Sequence, residues 1–269
     1  MRQVESNKYN KEYYTKNYGS SSLLKNNECF DAMHNLIYQE IANIAGVQPD
    51  DRVVDYGCGN GDLAFYLASK YHCNIKAIDY SKEAIDICNK KLKQVKDSLG
   101  TQISFINADS KNLPDFNDIK AVFFCDVLEH MYDEEIEIVL EHVKNWGIDN
   151  KAKIIAHTDN EKYLKFIGPL FGLLDILLSN KSLDQIRKEK RTEKELHINL
   201  TTPKKLRKKM KKWGYKQTAL KYPTPVDTRI KRQLGKLQNI PYLFNICVFM
   251  LKKFAFLSPS FYAVYEISD

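Results

Sequence analysis

The chain has 269 residues, 43% of them hydrophobic, and a formal net charge of +7 at pH 7. This length suffices for one sizeable α/β domain with additions, and the mean hydropathy of -0.45 predicts a globular, soluble protein. The N-terminal stretch is polar and has no apolar run, so no secretory signal peptide is predicted. The six cysteines form no C-x-x-C pair, which argues against a zinc site or a disulfide scaffold and predicts a reducing, cytoplasmic environment.

The positive charge has two interpretations. A lysine-rich surface is the simpler one, and we favour it. An acidic partner, such as a phosphate-bearing substrate, RNA or a membrane surface, is the alternative, because the basic residues are clustered.

Residues 1–45 are predicted to form an arm and one helix ahead of the main domain. The arm is rich in tyrosine and keeps neither helical nor strand spacing. Residues 29–45 place apolar side chains on one face at helical spacing, and Gly46 ends that helix. Pro49-Asp50-Asp51 then turns the chain into the first strand.

Residues 46–160 are predicted to form the α/β core. Short apolar runs alternate there with amphipathic segments of helical period. Strands of this kind are buried on both faces, as in a parallel sheet covered by helices on each side. The first predicted strand ends at Asp55, and four more strands are predicted at 75–79, 103–109, 120–126 and 153–157. The predicted helices span 81–99 and 132–146.

The region after residue 160 departs from this alternation. Residues 161–200 are predicted to form a helical cap insertion, apolar at first and highly charged later. Residues 201–269 then complete the sheet, with Thr202 as the N-cap and Pro203 as the first residue of a helix that ends at Gly214. Two late strands are predicted at 215–222 and 261–267, separated by a second insertion at 223–258.

The stretch from Val53 to Asp62 carries the strongest functional signal. It reads as a strand, then Gly57, Gly59 and Gly61 at every second position, then a helix. Glycine lets a ligand approach the main chain, and a helix start adds unpaired N–H groups. The dinucleotide fingerprint G-x-G-x-x-G would need a glycine where Asp62 stands. The pattern Asp-x-Gly-x-Gly-x-Gly instead resembles the first motif of the class I S-adenosylmethionine-dependent methyltransferases.

The resemblance implies S-adenosyl-L-methionine as the cofactor and S-adenosyl-L-homocysteine as the product left after transfer. It implies an enzyme of the EC 2.1.1 class, which is a methyltransferase. It also implies a doubly wound, mostly parallel seven-stranded sheet of the Rossmann-like methyltransferase type, with an antiparallel last strand. The helical cap insertions at 161–200 and 223–258 are the two departures of this chain from that plan.

Further cofactor contacts are implied at the carboxyl ends of successive strands, where open α/β sheets bind ligands. Asp79 is expected to accept hydrogen bonds from both ribose hydroxyls, and Asp109 with Ser110 to meet the adenine edge. Tyr14 is expected to close over the cofactor as an aromatic flap, unless the arm only covers the domain edge. Asp55 is expected to orient the glycine loop and face the methionine amine. The full predicted set is Tyr14, Asp55, Gly57, Cys58, Gly59, Asp79, Tyr80, Asp109, Ser110, Asp126 and Val127.

The segment Cys125 to Met131 follows the fourth strand and resembles the Asp-x-Leu-Glu-His segment of quinone, sterol, small-metabolite and sugar methyltransferases. It is unlike the Asn/Asp-Pro-Pro-Tyr/Phe segment of nitrogen-methylating nucleic-acid enzymes, so an oxygen acceptor is favoured. A hydroxyl must lose its proton, and histidine is suited to take it. His130 is the first candidate base, and His157 and His197 are further candidates for substrate contact. A structural role is the alternative for each of the three.

No metal ion is predicted, because the sequence shows no second cluster of residues at ligand spacing. The alternative comes from the resemblance, since one quinone-methylating branch uses the same acidic-His segment to assist a metal.

Residues 240–257 are nearly all apolar but are interrupted by Lys252 and Lys253. The stretch is too short and too interrupted to span a bilayer, which takes about 20 apolar residues. It is either an interfacial helix in peripheral contact with a membrane, which would suit a lipid-linked acceptor, or a helix packed on the cap.

The sequence therefore predicts a cytoplasmic methyltransferase that acts on an oxygen, before nitrogen or carbon, of a small-molecule, sugar or lipid-linked acceptor. An RNA methyltransferase is one alternative, and its binding would weaken steeply with salt. A non-catalytic protein that keeps the cofactor fold is another, although the intact glycine loop argues against it.

Overall fold

A computed structural model of the chain describes residues 4, 8–9, 13, 32–95, 102–147, 152–169, 196–223, 240–254 and 258–268. Within them, helices cover both faces of one seven-stranded sheet. The strands are β1 (Arg52–Tyr56), β2 (Asn74–Asp79), β3 (Ile103–Asn107), β4 (Ile119–Cys125), β5 (Lys153–Asp159), β6 (Tyr215–Lys221) and β7 (Ser260–Ile267). The helices are α1 (Ala32–Ala45), α2 (Asp62–Tyr71), α3 (Lys82–Gln94), α4 (Asp133–Trp146), α5 (Pro203–Lys212) and α6 (Pro241–Lys253).

The strand order across the sheet is β3-β2-β1-β4-β5-β7-β6. β1 to β5 pair in parallel, while β7 runs antiparallel to β5 on one side and to β6 on the other. This confirms the predicted doubly wound, mostly parallel fold with an antiparallel last strand. The order reverses between β1 and β4, and ligands bind at such a switch point outside the carboxyl ends of the strands.

The central strands are buried on both faces, which explains their continuous apolar runs. Adjacent residues contribute to opposite faces, since Val53 and Phe123 lie in one apolar cluster and Val54 and Phe124 in the other. Each of these side chains is fully buried. Burial of one such side chain contributes roughly 1.5–3 kcal/mol, so the two clusters are the main source of stability.

Two side-chain caps define helix starts near the site. The Ser81 hydroxyl accepts a hydrogen bond from the Ala84 amide at 3.3 Å, at the start of α3. The Thr202 hydroxyl accepts one from the Lys205 amide at 3.2 Å, and Pro203 opens α5. The structure therefore has the predicted start of α5.

β3 ends two residues before its predicted end at position 109. The Asp109 carboxylate accepts hydrogen bonds from the amides of Lys111 and Asn112 at 2.9 and 3.1 Å. These local bonds form a turn, and the chain therefore leaves the sheet after Asn107.

The two predicted insertions lie partly outside the described residues. Of the cap at 161–200, the structure describes 161–169 and 196–200, and the first part contains a π-helical turn, Tyr163–Ile167. Of the insertion at 223–258, it describes residue 223, α6 with the residues at its two ends, and residue 258. The domain boundaries at residues 45, 160 and 200 stay predictions.

Candidate active site

A cavity of about 640 Å³ opens at the carboxyl ends of β1, β2, β4 and β5, beside the first residue of β7. It is the place where the strand order reverses, as expected for a ligand site in this architecture. The predicted site residues that line it are Asp55, Gly57, Cys58, Gly59, Asp79, Tyr80, Asp126, Val127, His130, His157 and His197.

The glycine loop bends sharply over the end of β2. The amides of Gly57 and Cys58 both donate to the Ile78 carbonyl, at 2.8 and 2.9 Å. Gly57 has a φ of 72°, and a Cβ built on it would overlap the Val127 side chain. Only glycine fits at this position, because the loop after β4 approaches the backbone so closely.

Gly59 and Gly61 serve different purposes in the same loop. A Cβ on Gly61 would lie 2.9 Å from Cys88 Sγ, so this glycine allows close packing on α3. A Cβ on Gly59 would meet no heavy atom within 4 Å. Gly59 therefore leaves open space next to the main chain, and it lines the cavity.

Asp79 and Lys91 hold the loop from the side of α3. Asp79 accepts hydrogen bonds from the Gly59 amide at 2.9 Å and from the Ser81 amide at 2.8 Å. The buried Lys91 ammonium donates to the Asn60 carbonyl at 2.9 Å and pairs with Asp62 at 3.0 Å. Lys91 was not predicted from the sequence, although its place on the apolar face of α3, three residues after Cys88, is a usable signal.

Burial shifts the pKa values of two carboxyl groups that line the cavity. Burial, with Asp79 and Asp62 nearby, raises the pKa of Asp55 to about 7. Burial also raises the pKa of Asp79 to about 6, against the lowering effect of the Ser81 and Gly59 amides. Among the described residues, Asp55 Oδ2 is buried without a hydrogen-bond partner.

These features fit the expected cofactor. The open space at Gly59 admits a ligand against the backbone, and the unpartnered Asp55 oxygen can accept from an amine. The Asp79 oxygens, each already holding one amide, retain lone pairs for ribose hydroxyls. The donor and acceptor set therefore suits S-adenosylmethionine.

The tyrosine arm reaches the cavity through Tyr9 and Tyr13, which were not the residues predicted to do so. The Tyr9 carbonyl accepts a hydrogen bond from the Ser81 hydroxyl at 2.9 Å, and the Tyr9 ring packs edge-on against Tyr13 and Tyr80. All three rings line the cavity. Tyr14 lies outside the described residues, so its role as a flap stays a prediction.

The structure places Asp109 and Ser110 away from the cavity lining. The Asp109 carboxylate is used in the turn after β3, and Ser110 is fully buried. Ala108 lines the cavity at this strand end. The contact of Asp109 and Ser110 with the adenine edge stays a prediction, made with the end of β3 placed two residues too late.

The three predicted histidines are brought together in the cavity lining. His130 Nδ1 lies 3.0 Å from the Leu196 carbonyl, which can only accept, so Nδ1 carries the proton and Nε2 the lone pair. Burial, with His197 at 4.9 Å between ring centroids, lowers the pKa of His130 to about 4. The helix that follows His130, α4, begins with a hydrogen bond from the Tyr132 amide to the Glu135 carboxylate at 3.1 Å.

His157 sits between an acid and a hydroxyl. Its Nδ1 lies 2.7 Å from Asp126 Oδ1, and its Nε2 lies 3.0 Å from the Ser260 hydroxyl. The ring packs against Tyr262 at 4.8 Å between centroids. Ser260 lines the cavity and was not found from the sequence, because it lies 103 positions along the chain from His157.

Glu129, beside His130 in the chain, is buried at the same edge. It accepts a hydrogen bond from the Thr158 hydroxyl at 2.9 Å. Burial, together with Asp126 and Asp159, raises the pKa of Glu129 well above its usual range. The Glu129 carboxyl therefore takes up a proton more readily than an exposed glutamate does.

The fold and the glycine loop are those expected of a class I S-adenosylmethionine-dependent methyltransferase domain. Residues 53–147 match a family model described as a methyltransferase domain. This confirms the class that the sequence motif resembles, and with it the expected cofactor.

The chain is similar in sequence to a curated methyltransferase and in fold to two solved methyltransferase structures. The probable (S)-tetrahydroprotoberberine N-methyltransferase 2 of Papaver bracteatum is 27% identical over 144 residues, which are 53% of this chain and 38% of that protein. The magnesium protoporphyrin IX methyltransferase of Synechocystis PCC 6803, with bound SAH, is 14% identical, covers 98% of both chains and has a TM-score of 0.58. The geranyl diphosphate C-methyltransferase of Streptomyces coelicolor A3(2), with Mg²⁺, geranyl diphosphate and S-adenosyl-L-homocysteine, is 11% identical, covers 88% of this chain and 79% of its own, and has a TM-score of 0.54.

These similarities show the fold of the chain but do not identify the atom that is methylated. The two structures share the fold at low identity, and the match covers about two fifths of the curated relative's length. The relatives methylate nitrogen and carbon by name, so the oxygen acceptor favoured by the sequence is not confirmed.

Proposed function

We propose that this protein transfers a methyl group from S-adenosylmethionine to a small-molecule acceptor. The observation that carries the proposal is one cavity lined both by the glycine loop with Asp55 and Asp79 and by three histidines. When bound, the cofactor supplies a methyl group made electrophilic by its sulfonium. The loop backbone and Asp79 hold the donor, while the ends of β4 and β5 are left for the acceptor.

We propose an oxygen atom as the methylated position. Positioning can supply much of the rate of an in-line transfer, but a hydroxyl also needs a proton acceptor at neutral pH. His130 lines the cavity, and its hydrogen bond to the Leu196 carbonyl leaves Nε2 with the lone pair. This supports a phenol-like or alcohol acceptor, including a sugar or a lipid-linked one.

An amine acceptor is the second candidate, and the charge of the cavity favours it. No Lys or Arg occurs among the described lining residues, whereas seven carboxyl residues do. One of the seven, Asp62, is paired with Lys91. A cavity of this charge attracts organic cations. The acidic residues of the lining are Asp55, Asp62, Asp79, Asp126, Glu129, Glu135 and Asp159.

The same charge argues against an RNA acceptor. The basic cluster lies on α5, where Lys205 pairs with Glu161 at 2.7 Å and Lys209 pairs with Asp133 at 2.7 Å. Part of the cluster therefore has a structural use. A polyanion would meet the acidic lining at the cavity.

Calorimetric titration tests the donor. We expect micromolar binding of S-adenosylmethionine and S-adenosylhomocysteine by the wild type, and a loss of at least about 10-fold in Asp79→Ala, which removes the support of the Gly59 amide. Asp86→Ala, an exposed position on α3, is the matched control and is expected to bind as the wild type does. Absence of binding by the wild type would refute the proposed function. A panel of phenols, sugars and tertiary amines, followed by the release of S-adenosylhomocysteine, then separates oxygen from nitrogen acceptors.

We further propose peripheral membrane contact through α6. In the described residues, no helix is long and apolar enough to cross a bilayer. One face of α6 is nevertheless exposed, with Tyr242 81% and Phe249 60% accessible, and Ile246 lies between them on the same face. The Lys253 ammonium lies 5.4 Å from the centroid of the Phe249 ring, an arrangement suited to an anionic lipid surface.

Co-sedimentation with vesicles tests this contact. We expect the wild type to bind vesicles that contain phosphatidylserine, and Tyr242→Ser with Phe249→Ser to lose most of that binding. Phe166→Ser, at an exposed apolar position outside α6, is the control. Equal binding by the wild type and the double variant would contradict the contact.

A further inference from the structure

Asp126, His157 and Ser260 form a hydrogen-bonded chain that ends in the cavity. Asp126 holds His157 at two points, because its amide donates to the His157 carbonyl at 2.9 Å while Oδ1 lies 2.7 Å from Nδ1. Asp126 has a φ of 54°, a left-handed conformation that is uncommon for residues other than glycine. The Ser260 hydroxyl, 3.0 Å from Nε2, stands at the opposite side of the ring.

The direction of the two hydrogen bonds follows from their chemistry. A carboxylate can only accept, so Nδ1 carries the proton of the neutral imidazole and donates it to Asp126. Nε2 then holds a lone pair, and the Ser260 hydroxyl donates to it. The lone pairs of Ser260 Oγ remain for a molecule in the cavity, which Ser260 lines.

His157 is the better-supported proton acceptor of the two histidines. The hydrogen-bond and ring contacts of His130 are to the Leu196 carbonyl, His197 and Tyr9, and none of these is a carboxylate. The charge of Asp126 raises the pKa of His130, but burial outweighs this effect. His157 contacts the Asp126 carboxylate directly, which stabilises the imidazolium that forms when Nε2 takes a proton. The sequence favoured His130 as the base because the contact between Asp126 and His157 is visible only in the structure.

We propose that Asp126, His157 and Ser260 act as a proton relay for the acceptor, with Ser260 as the group that touches it. The inference rests on the proposed methyl transfer to oxygen. The acceptor hydroxyl gives its proton to Ser260 Oγ while the proton of Ser260 passes to His157 Nε2. The electron pair freed on the acceptor oxygen forms the bond to the methyl carbon, whose bond to sulfur breaks. Asp126 remains a carboxylate throughout.

A metal site formed by Cys125, Asp126 and His157 is the alternative to the relay. Cys125 Sγ lies 3.9 Å from His157 Nδ1 and 3.9 Å from Asp126 Oδ2, so the three side chains could instead surround a metal ion. The 2.7 Å separation of Nδ1 and Oδ1 favours the relay, since it is the length of a charge-assisted hydrogen bond.

Phenylmethylsulfonyl fluoride tests the relay without a known acceptor. A serine hydroxyl reacts with it efficiently only when a base removes the proton: the Oγ–S bond forms, the S–F bond breaks, fluoride leaves, and the proton goes to Nε2. We expect peptide mapping of the full chain to place the label on Ser260. The labelling rate is expected to fall at least about 10-fold in His157→Gln and in Asp126→Asn. Ser69, whose hydroxyl donates to a backbone carbonyl on α2, is the internal control and is expected to stay unlabelled.

Further measurements distinguish the relay from a metal site and from failure of the proposed function. Proton–nitrogen correlation spectra of the histidine rings are expected to show Nδ1 protonated on His157 in the wild type and a shift towards Nε2 in Asp126→Ala. Stoichiometric Zn²⁺ binding that disappears in Cys125→Ala would overturn the relay, as would an unlabelled Ser260 or a labelling rate unchanged in both variants. Binding of S-adenosylhomocysteine by the wild type is measured in parallel, so that failure of the proposed function is seen independently of the labelling result.

Discussion

Replacing Gly59 with alanine is expected to weaken binding of S-adenosylhomocysteine roughly 100-fold, about 2.7 kcal/mol, while the domain still folds. Gly59 has a φ of 52°, and an added Cβ would meet no heavy atom of the protein within 4 Å. The methyl group would therefore occupy open space at the cavity instead of disturbing the core. The left-handed backbone costs alanine about 1–2 kcal/mol of the free energy of unfolding. Calorimetric titration and urea denaturation measure the two effects.

Gly46 and Gly57 provide matched controls for this prediction. Gly46 has a φ of 68° and equally open surroundings but lies in the turn after α1, so Gly46→Ala has the same backbone cost and is expected to keep full affinity. Gly57→Ala is expected to destabilise the fold far more, because its Cβ would overlap Val127. Equal affinity in Gly59→Ala and Gly46→Ala would show that Gly59 does not contact the ligand.

Local patterns were sufficient to predict the sheet. The paired apolar residues Val53-Val54 and Phe123-Phe124 face opposite sides, and this is why uninterrupted apolar runs indicated strands covered on both faces. Thr202 and Pro203 marked the start of α5 because capping depends on neighbours three residues apart. The end of β3 was placed too late, because Asp109 was assigned to the strand although it forms a turn.

The site was predictable where one motif contains its own geometry. Gly57 and Gly59 line the cavity because the turn that they form is local. Ser260 and Lys91 were missed because their roles depend on strand pairing and helix packing that bring distant parts of the chain together. The pairing of β5 with β7, which sets Ser260 beside His157, has no signature within either strand.

The buried acids of the cavity make cofactor affinity depend on pH. Asp55, with a pKa of about 7, and Asp79, with a pKa of about 6, must be ionised to hold an amine and ribose hydroxyls well. Both values lie above the ordinary 3.8, so the cofactor-free folded state takes up protons more readily than the unfolded chain. Its free energy of unfolding therefore falls as the pH rises through the window from about 4 to 7. The affinity for a ligand that needs the ionised carboxylates instead rises with pH over the same window.

We expect the affinity for S-adenosylhomocysteine to fall about 10-fold per pH unit for each acid below its pKa, and so roughly 1000-fold between pH 8 and pH 5. Titrations near pH 6.5 in buffers of different ionisation enthalpy are expected to show proton release on binding. Asp79→Asn removes one ionisation and should flatten the lower part of the profile, whereas Asp86→Asn, at an exposed position on α3, should leave it unchanged. A pH-independent affinity would mean that neither carboxylate contacts the ligand. In that case the donor would be held by the loop backbone alone, and Asp79 would act only by supporting the Gly59 amide.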